Sequence, residues 1–310
     1  MTNKRTGIVM SSTGSNYTIL DKSSGKIVEA GMRGKLRLKG VRSTNPVAVG
    51  DMVDYVTEDS GESAITAIHQ RTNYIIRRAS NLSKESHIIA ANIDQAALVV
   101  TLVAPETKTE FIDRFLVTCE AYRIPATIVL NKCDILHDAP EYIEEFKHIY
   151  EPAGYPVIVV SATGGDNIEA FSGLLKDKTT LLSGNSGVGK SSLIKRIEPD
   201  ADVRTADISK SHLKGRHTTT FARMYPLHEG GYIIDTPGIK GFGLIDIESD
   251  ELWHFFPEMM RYAPGCQFYN CTHVHEPGCA VRQAVDDGEI SESRYTSYLK
   301  ILEEDEKYRK

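Results

Sequence analysis

Several classes of protein are excluded by what this 310-residue sequence lacks. No apolar run approaches membrane-spanning length, and the N-terminus lacks the apolar core of an export signal, so we expect a cytoplasmic chain without membrane contact. Net positive charge is also absent, since 36 Lys and Arg stand against 42 Asp and Glu, a formal charge of -6. An overall basic field is therefore excluded, and any nucleic-acid contact must come from local patches. No repeat or low-complexity tract is visible, which argues against a repeat architecture.

Cysteine is scarce, and its five copies are unevenly spread. Cys119 and Cys133 stand alone, whereas Cys266, Cys271 and Cys279 lie close together. A reducing compartment is expected without an export signal, and a cluster of three would leave one cysteine without a disulfide partner. Disulfides are therefore not the expected use of the cluster.

A glycine-rich segment, residues 184–191, reads Gly-Asn-Ser-Gly-Val-Gly-Lys-Ser and follows the apolar run 179–182. This is the G-x-x-x-x-G-K-[ST] phosphate loop in the context it requires, a strand that enters a glycine-rich turn and then a helix. The glycines allow backbone N–H groups to converge on phosphate oxygens. Lys190 is predicted to reach the outer phosphates, and the Ser191 hydroxyl to ligate Mg²⁺. The predicted nucleotide contacts are Gly184, Asn185, Ser186, Gly187, Val188, Gly189, Lys190, Ser191 and Ser192.

A second motif predicts that the base is guanine. Asn131, Lys132, Cys133 and Asp134 follow an apolar run and match the N-K-x-D pattern of GTPases. The Asp134 carboxylate can accept the N1–H and the exocyclic amine of guanine, and adenine offers neither donor in that arrangement. Asn131 is predicted to tie the base site to the phosphate loop, and the Lys132 stem to cover one face of the base.

Two further segments agree with a guanine nucleotide site. Ser161 and Ala162 follow an apolar strand and resemble the last GTPase motif near the base. Residues 235–238 read Asp-Thr-Pro-Gly, which fits D-x-x-G. In that motif Asp235 lies near Mg²⁺, and the Gly238 amide senses the γ-phosphate.

The segment between the phosphate loop and D-x-x-G has the composition of a mobile switch. Residues 215–220 read Gly-Arg-His-Thr-Thr-Thr, and Thr218 and Thr219 supply hydroxyls that can close on Mg²⁺. No glutamine follows Gly238 to orient the attacking water, so His217 is the candidate for that task, with an RNA contact as its alternative. The substrate predicted from all these segments is GTP. The predicted catalytic residues are Lys190, Ser191, His217, Thr218, Thr219, Asp235 and Gly238.

The order of the motifs is unusual. The base motifs at Asn131 and Ser161 precede the phosphate loop, and Asp235 comes last, whereas ordinary GTPases begin with the phosphate loop. Because sheet neighbours need not be sequence neighbours, the same fold can survive a shift of its termini. The sequence therefore predicts a circularly permuted P-loop GTPase domain whose second switch leads directly into the C-terminal segment.

The N-terminal segment predicts a small antiparallel barrel. From Gly7 to about Ile68, short β-like runs alternate with glycine-containing turns, which favours an OB-type barrel, a fold that commonly binds oligonucleotides. Basic and apolar residues alternate along residues 33–42, so one face of that strand is cationic. The alternative is a solvated edge strand whose lysines discourage aggregation.

The clustered cysteines predict a metal centre. Cys266, Cys271, His273 and Cys279 give C-x₄-C-x-H-x₅-C, and three thiolates with an imidazole form the closed tetrahedral shell of a structural Zn²⁺. His275 remains open as an alternative ligand. Scattered buried cysteines without a metal are the remaining alternative.

These features together resemble the RsgA family, the ribosome small subunit-dependent GTPase A family. The implied fold is α/β: an N-terminal OB-type β-barrel (1–72), a circularly permuted GTPase domain (73–245) and a C-terminal zinc-binding helical module (246–310). Within the last, helical spacing of apolar residues over 281–308 predicts an amphipathic helix.

The resemblance implies a GTPase that acts late in maturation of the small ribosomal subunit and is stimulated by that subunit. The expected partners are GTP or GDP, the small subunit and its rRNA, with Mg²⁺ and one Zn²⁺ as cofactors and a monomeric chain. A competing hypothesis from another class is a GTP-regulated RNA-binding adaptor with negligible turnover. The hypothesis of a metabolic kinase fails for want of an acceptor site.

Overall fold

The computed structural model describes residues 4–32, 46–78, 86–199, 222–236 and 247–309. The predicted basic strand 33–42 and the switch residues His217, Thr218, Thr219 and Gly238 lie outside these residues. The chain divides into two compact units. The first consists of Met1–Ala96, Ser172–Ser183 and Lys190–Gly243, and the second of Ala97–Phe171, Gly184–Gly189 and Leu244–Lys310.

Strands and helices alternate irregularly along the chain. The strands are β1 (Lys4–Thr13), β2 (Asn16–Asp21), β3 (Ile27–Met32), β4 (Met52–Thr57), β5 (Ser63–Ile68), β6 (Tyr74–Arg78), β7 (Ser86–Ala91), β8 (Gln95–Val100), β9 (Ala126–Leu130), β10 (Val157–Val159), β11 (Thr179–Ser183), β12 (Arg223–Pro226) and β13 (Tyr232–Asp235). The helices are α1 (Thr109–Ala121), α2 (Glu141–Tyr150), α3 (Ile168–Leu175), α4 (Lys190–Ile197), α5 (Pro257–Tyr262), α6 (Ala280–Asp286) and α7 (Glu292–Arg309). Among the described helices, none combines the length and apolarity that a membrane crossing requires.

A closed five-stranded barrel opens the first unit. Its strands pair in the order β1-β2-β3-β5-β4, and β1 also pairs with β4, so every strand has two neighbours. Alternate residues of β2 point inward, and Tyr17 and Ile19 join Val53, Tyr55 and Ile65 in the barrel core. This confirms the predicted OB-type barrel. Closure leaves none of its strands as a free edge.

The rest of the first unit supplies part of an α/β sheet. β11 runs parallel to β13, β12 pairs with β13 in the antiparallel sense, and β12 also touches β1 where Ser11 lies opposite Arg223. β6 and β7 form a separate two-stranded antiparallel sheet. Helix α4 begins at Lys190, directly after the glycine-rich turn. The predicted phosphate loop therefore has its strand before it and its helix after it.

The second unit combines the remaining parallel strands with helices. β9 and β10 run parallel, and every residue of β8 is buried, as expected for a strand covered on both faces. Helix α1 packs against α7, so Val117 shares an apolar core with Phe256, Met259, Val281 and Tyr298. The helix predicted over 281–308 is confirmed only in part, because the structure divides that range into α6 (Ala280–Asp286) and α7 (Glu292–Arg309). The whole set of elements confirms the predicted α/β class.

A buried ion cluster joins the helices of the second unit. The Arg294 guanidinium, 0% exposed, donates to Asp113 of α1 over 2.8 Å and to both oxygens of Glu258 of α5 over 2.7 and 3.1 Å. Burial acts to lower the pKa of Arg294, but the two carboxylates raise it well above its ordinary value. Because a buried charge without its partner is very costly, this cluster fixes α7 to α1 and α5.

Candidate nucleotide site and metal centre

Asn131 links three segments at the ends of the strands in the second unit. It directly follows β9 and is 2% exposed. Its side-chain amide donates to the Val188 carbonyl over 2.8 Å, and its side-chain oxygen accepts the Ala162 N–H over 3.0 Å. A single asparagine therefore holds the phosphate loop and the Ser161–Ala162 segment against the guanine motif.

The acidic residue of the guanine motif is oriented by its neighbour. Asp134 lies in the 3₁₀ turn Cys133–Leu136, and its carboxylate accepts the Ser161 hydroxyl over 2.5 Å. The same hydroxyl oxygen accepts the Gly164 N–H over 2.8 Å, which fixes its position. Burial raises the pKa of the Cys133 thiol, so this side chain stays neutral beside the carboxylate. The Asp134 carboxylate is thus held as a fixed acceptor, the group that guanine recognition requires.

The phosphate loop makes close approaches that only glycine permits. Gly184 and Gly189 adopt φ values of +144° and +95°. A Cβ on Gly184 would lie 2.2 Å from the Val99 carbonyl oxygen, and one on Gly189 would lie 2.2 Å from the Asn131 amide nitrogen. Between them Val188 is buried, and Ser186 and Gly187 are exposed. Glycine at these two positions thus lets the loop pass close to the Val99 backbone and to the Asn131 side chain, as the sequence motif requires.

The first unit contains Lys190 and Asp235, the two charged residues that the sequence motifs assign to phosphate and Mg²⁺. Burial lowers the pKa of Lys190 and raises that of Asp235, and each residue opposes the shift of the other through its charge. Within the described residues, Asp235 Oδ1 and Ser183 Oγ are buried without a hydrogen-bond partner. A buried carboxylate oxygen with a free lone pair is a fitting ligand for Mg²⁺, and the adjacent lysine suits phosphate oxygens. Ser191 and Ser192 follow in the first turn of α4, half-buried and exposed respectively.

The loop 101–107 beside the phosphate loop was missed from the sequence. Thr101 and Thr107 close it, because the Thr107 hydroxyl accepts the Thr101 N–H over 3.1 Å and the Thr101 carbonyl accepts the Thr107 N–H over 2.8 Å. At its tip the Ala104 carbonyl accepts the Lys132 ammonium, and Pro105 Cδ lies 3.4 Å from an ideal Cβ on Gly187. The available signal was its place after the buried strand β8, because ligands bind at the carboxyl ends of parallel strands.

The four predicted metal ligands converge in the second unit. The ligand atoms of Cys266, Cys271, His273 and Cys279 all lie within 4.8 Å of one another. His273 Nδ1 is 3.6 Å from Cys266 Sγ and 3.4 Å from Cys279 Sγ, and those two sulfurs are 4.0 Å apart. Tetrahedral zinc bonds imply separations of about 3.5 to 3.8 Å, so these residues can hold a metal ion.

The surroundings of the cluster also suit a cation. Burial lowers the pKa of His273, which favours the neutral imidazole that ligates metals. Burial raises the pKa of the Cys271 thiol to about 12, so a bound cation would be needed to favour its thiolate. His275 is exposed and lies outside the converging group. In this cluster His273 Nδ1 is thus the nitrogen atom that faces the cysteine sulfurs.

Comparison with known proteins agrees with this architecture. The family model described as RsgA GTPase matches residues 68–245, and the one described as RsgA N-terminal domain matches residues 6–65. The Small ribosomal subunit biogenesis GTPase RsgA proteins of Bacteroides fragilis and Phocaeicola vulgatus are each 53% identical over 306 residues, 98% of both chains.

Two solved structures are also similar. YjeQ from Thermotoga maritima superposes with a TM-score of 0.78 at 37% identity over 97% of this chain and 98% of its own. YloQ, described as a circularly permuted GTPase, gives 0.73 at 32% identity over 99% and 96%. Fold and motifs together define a circularly permuted GTPase with an N-terminal barrel and a C-terminal metal-binding module. The chain belongs to the RsgA GTPase family and hydrolyses GTP.

Proposed function

We propose that this GTPase acts late in the maturation of the small ribosomal subunit and binds the subunit through its rRNA. The observation that carries the proposal is the 53% identity, over 98% of the chain, to proteins named for small ribosomal subunit biogenesis. The OB-type barrel supports it, because barrels of this type commonly bind oligonucleotides. The basic residues of segment 33–42, which the sequence predicts to alternate with apolar ones along a strand, are the proposed RNA contacts.

In the proposed nucleotide site, the guanine base and the phosphates are recognised by different groups. Asp134, oriented by Ser161, accepts the two guanine donors, and Lys132 covers the base with its stem. The N–H groups of the phosphate loop surround the phosphates, and the helix that starts at Lys190 adds the positive end of its dipole. Cys133, Asn185, Ser186 and Ser192 are assigned to the nucleotide through their places in these motifs.

Hydrolysis is assigned to a small set of charged and hydroxyl groups. Lys190 neutralises charge on the outer phosphates, while Ser191 and Asp235 hold Mg²⁺. When bound, Mg²⁺ supplies further charge neutralisation at the β- and γ-phosphate oxygens. For Thr218, Thr219 and Gly238 we infer closure on Mg²⁺ and the γ-phosphate from the sequence motifs alone.

The second switch lacks a glutamine that could orient the attacking water, and this is the reason to expect stimulation by the small subunit. No glutamine follows Gly238, so intrinsic hydrolysis is expected to be slow. We infer that rearrangement of residues 215–220 on the subunit completes the site and that His217 then orients the attacking water. The proposed GTP-bound form grips rRNA, and hydrolysis releases it.

The metal proposed for the C-terminal module is a structural zinc. Cys266, Cys271, His273 and Cys279 fill all four positions of a tetrahedral shell, which leaves no open position for catalysis. Their thiolate-rich composition favours Zn²⁺ over hard cations such as Mg²⁺ or Ca²⁺.

Phosphate release in three parallel reactions tests the proposal. GTP turnover by the Mg²⁺- and Zn²⁺-loaded chain is measured with small subunits, with large subunits and without RNA, and Lys190→Ala corrects for contaminating GTPases. We expect stimulation by small subunits alone. Equal rates in all three reactions would refute a role tied to the small subunit, and negligible turnover in all three would favour the RNA-binding adaptor.

A further inference from the structure

The metal ligand His273 has an unusual backbone conformation. Its φ is +62°, in the left-handed region that non-glycine residues seldom adopt. The imidazole is 1% exposed, and its Nε2 has no hydrogen-bond partner in the described part of the chain. Such a conformation persists only when surrounding contacts enforce it. The hydrogen bonds that surround this loop therefore bear on how His273 is oriented.

Glu276 provides the first set of these contacts. Its Oε1 accepts the N–H and the hydroxyl of Thr272 over 2.8 and 2.6 Å. Its Oε2 accepts the N–H groups of Val274 and His275 over 3.1 and 3.2 Å. Burial of Glu276 acts to raise its pKa, but these bonds hold it well below the ordinary value, so the group is ionised. One carboxylate thus fixes the N–H groups on both sides of His273.

Helix α7 provides the second set. The Tyr298 hydroxyl donates to the Thr272 carbonyl over 2.6 Å, and the Tyr295 hydroxyl donates to the His273 carbonyl over 2.7 Å. The same helix is anchored by the buried Arg294, so these hydroxyls have fixed positions. The carbonyls of the loop are held by α7, and its N–H groups are held by Glu276.

We propose that Glu276, Tyr295 and Tyr298 are positioning residues of the metal centre, which hold residues 272–275 in the conformation that directs His273 Nδ1 at Cys266 and Cys279. This inference rests on the proposed zinc site and extends it beyond the four ligands. A ligand that is oriented before the metal arrives loses less entropy on binding, and a ligand that cannot swing away releases the metal slowly.

The test is the rate of zinc release from the full chain. Zinc-loaded protein is mixed with an excess of the chromogenic chelator 4-(2-pyridylazo)resorcinol, and release is followed by absorbance. In Glu276→Gln an amide NH₂ replaces one acceptor oxygen and faces N–H groups, so we expect release to accelerate about 10- to 100-fold. Tyr295→Phe and Tyr298→Phe each remove one hydrogen bond, for which we expect about fivefold.

Matched controls lie in the same module. Glu289 is exposed, and its carboxylate accepts only the Tyr262 hydroxyl at 3.3 Å among its hydrogen bonds in the described residues. Glu289→Gln makes the same charge change and Tyr262→Phe the same hydroxyl deletion, away from the metal loop. Both controls should release zinc at the wild-type rate.

Trp253 gives a second readout that separates positioning from loss of the fold. It is the single tryptophan of the chain, and its ring meets that of His273 edge to face at 4.8 Å. Saturating Zn²⁺ should restore the wild-type emission in Glu276→Gln, because the ligands remain and only their orientation has loosened. Failure of that recovery would count against a positioning role.

Two results overturn the inference in different ways. A wild-type chain that binds no zinc removes the metal centre, and this assignment falls with it. If the wild type binds zinc and Glu276→Gln releases it at the same rate, only the positioning role is overturned. In that case the loop would be held by the metal and the ligands themselves.

Discussion

At the scale of single residues, the guanine motif makes the sharpest prediction. Asp134→Asn replaces an acceptor for two guanine donors by an amide that can donate to the 2-oxo group of xanthine. We expect GTP affinity to fall about 100-fold and XTP affinity to rise, because each hydrogen bond to a charged group contributes roughly 1.5 kcal/mol or more. Titration of fluorescent GTP and XTP analogues measures both affinities.

The neighbouring Asp138 offers the control for that substitution. Its side chain is exposed, and its carboxylate lies 3.2 Å from His137 Nδ1, outside the motif. Asp138→Asn should leave both affinities unchanged. Unaltered preference for GTP in Asp134→Asn would mean that another group reads the base.

A second residue-scale prediction concerns the barrel and pH. The Asp21 carboxylate accepts the Tyr55 hydroxyl over 2.5 Å and the hydroxyls of Ser23 and Ser24 over 2.7 Å each. These bonds hold its pKa well below the ordinary value. Asp21 therefore stabilises the folded state above the unfolded pKa of about 4, and that contribution is lost as the pH falls through the folded pKa.

Asp21→Asn measures that contribution directly. At pH 7 we expect a loss of about 1–3 kcal/mol, seen as a lower urea midpoint, and a smaller difference from wild type near pH 3. Asp59→Asn, an exposed change in the same barrel, should shift neither midpoint. If the loss of stability in Asp21→Asn were the same at pH 7 and near pH 3, the charge of Asp21 would not be its cause.

At the scale of elements, the loop 101–107 is predicted to govern nucleotide release. At its tip the Ala104 carbonyl binds Lys132, and Pro105 lies where a side chain on Gly187 would meet it, so we expect loosening of the loop to affect the base side and the phosphate side together. Thr107→Val removes the hydroxyl that accepts the Thr101 N–H. We expect GDP to dissociate about fivefold faster, measured with a fluorescent GDP analogue chased by unlabelled GDP.

Thr118→Val is the matched control for the loop. Its hydroxyl also bonds to backbone, the Arg114 carbonyl at 2.8 Å, but lies inside α1 away from the nucleotide motifs. It should leave the GDP dissociation rate unchanged. If both variants accelerated release equally, the effect would reflect general loss of stability.

Local strands and motifs are predictable from the sequence, whereas contacts between residues far apart along the chain are not. Barrel strands follow from period-2 burial and turn glycines, and the nucleotide motifs are contiguous, so both are local signals. The contacts of Tyr298 with Thr272 and of Lys132 with Ala104 join residues 26 and 28 positions apart, and no local pattern announces them. Arg294 is the extreme case, because a charged residue on an amphipathic helix predicts exposure, and its burial depends on two carboxylates brought together only by folding.

At the scale of the whole molecule, the permuted order becomes understandable from the sheet. Parallel strands present their carboxyl ends at one edge, so the motifs that follow β9 and β10 in the second unit lie at the same edge whatever their order along the chain. What the permutation alters is connectivity. D-x-x-G at 235–238 now precedes the C-terminal module directly, so events at the second switch have a short covalent route to the metal-binding segment.

Metal removal should therefore act locally on the molecule. Cys271 and Cys279 belong to the same apolar core as Val117 of α1 and Tyr298 of α7, so loss of the ion loosens the packing of both helices. We expect hydrogen exchange to show lost protection in α1 and α7 after chelation, while β1–β5, which have their own core, keep theirs. Re-addition of Zn²⁺ should restore the protection. If protection were lost evenly over the barrel and the helices, the metal would support a single cooperative fold. If exchange in α1 were unchanged, the metal module would be independent of the GTPase helices.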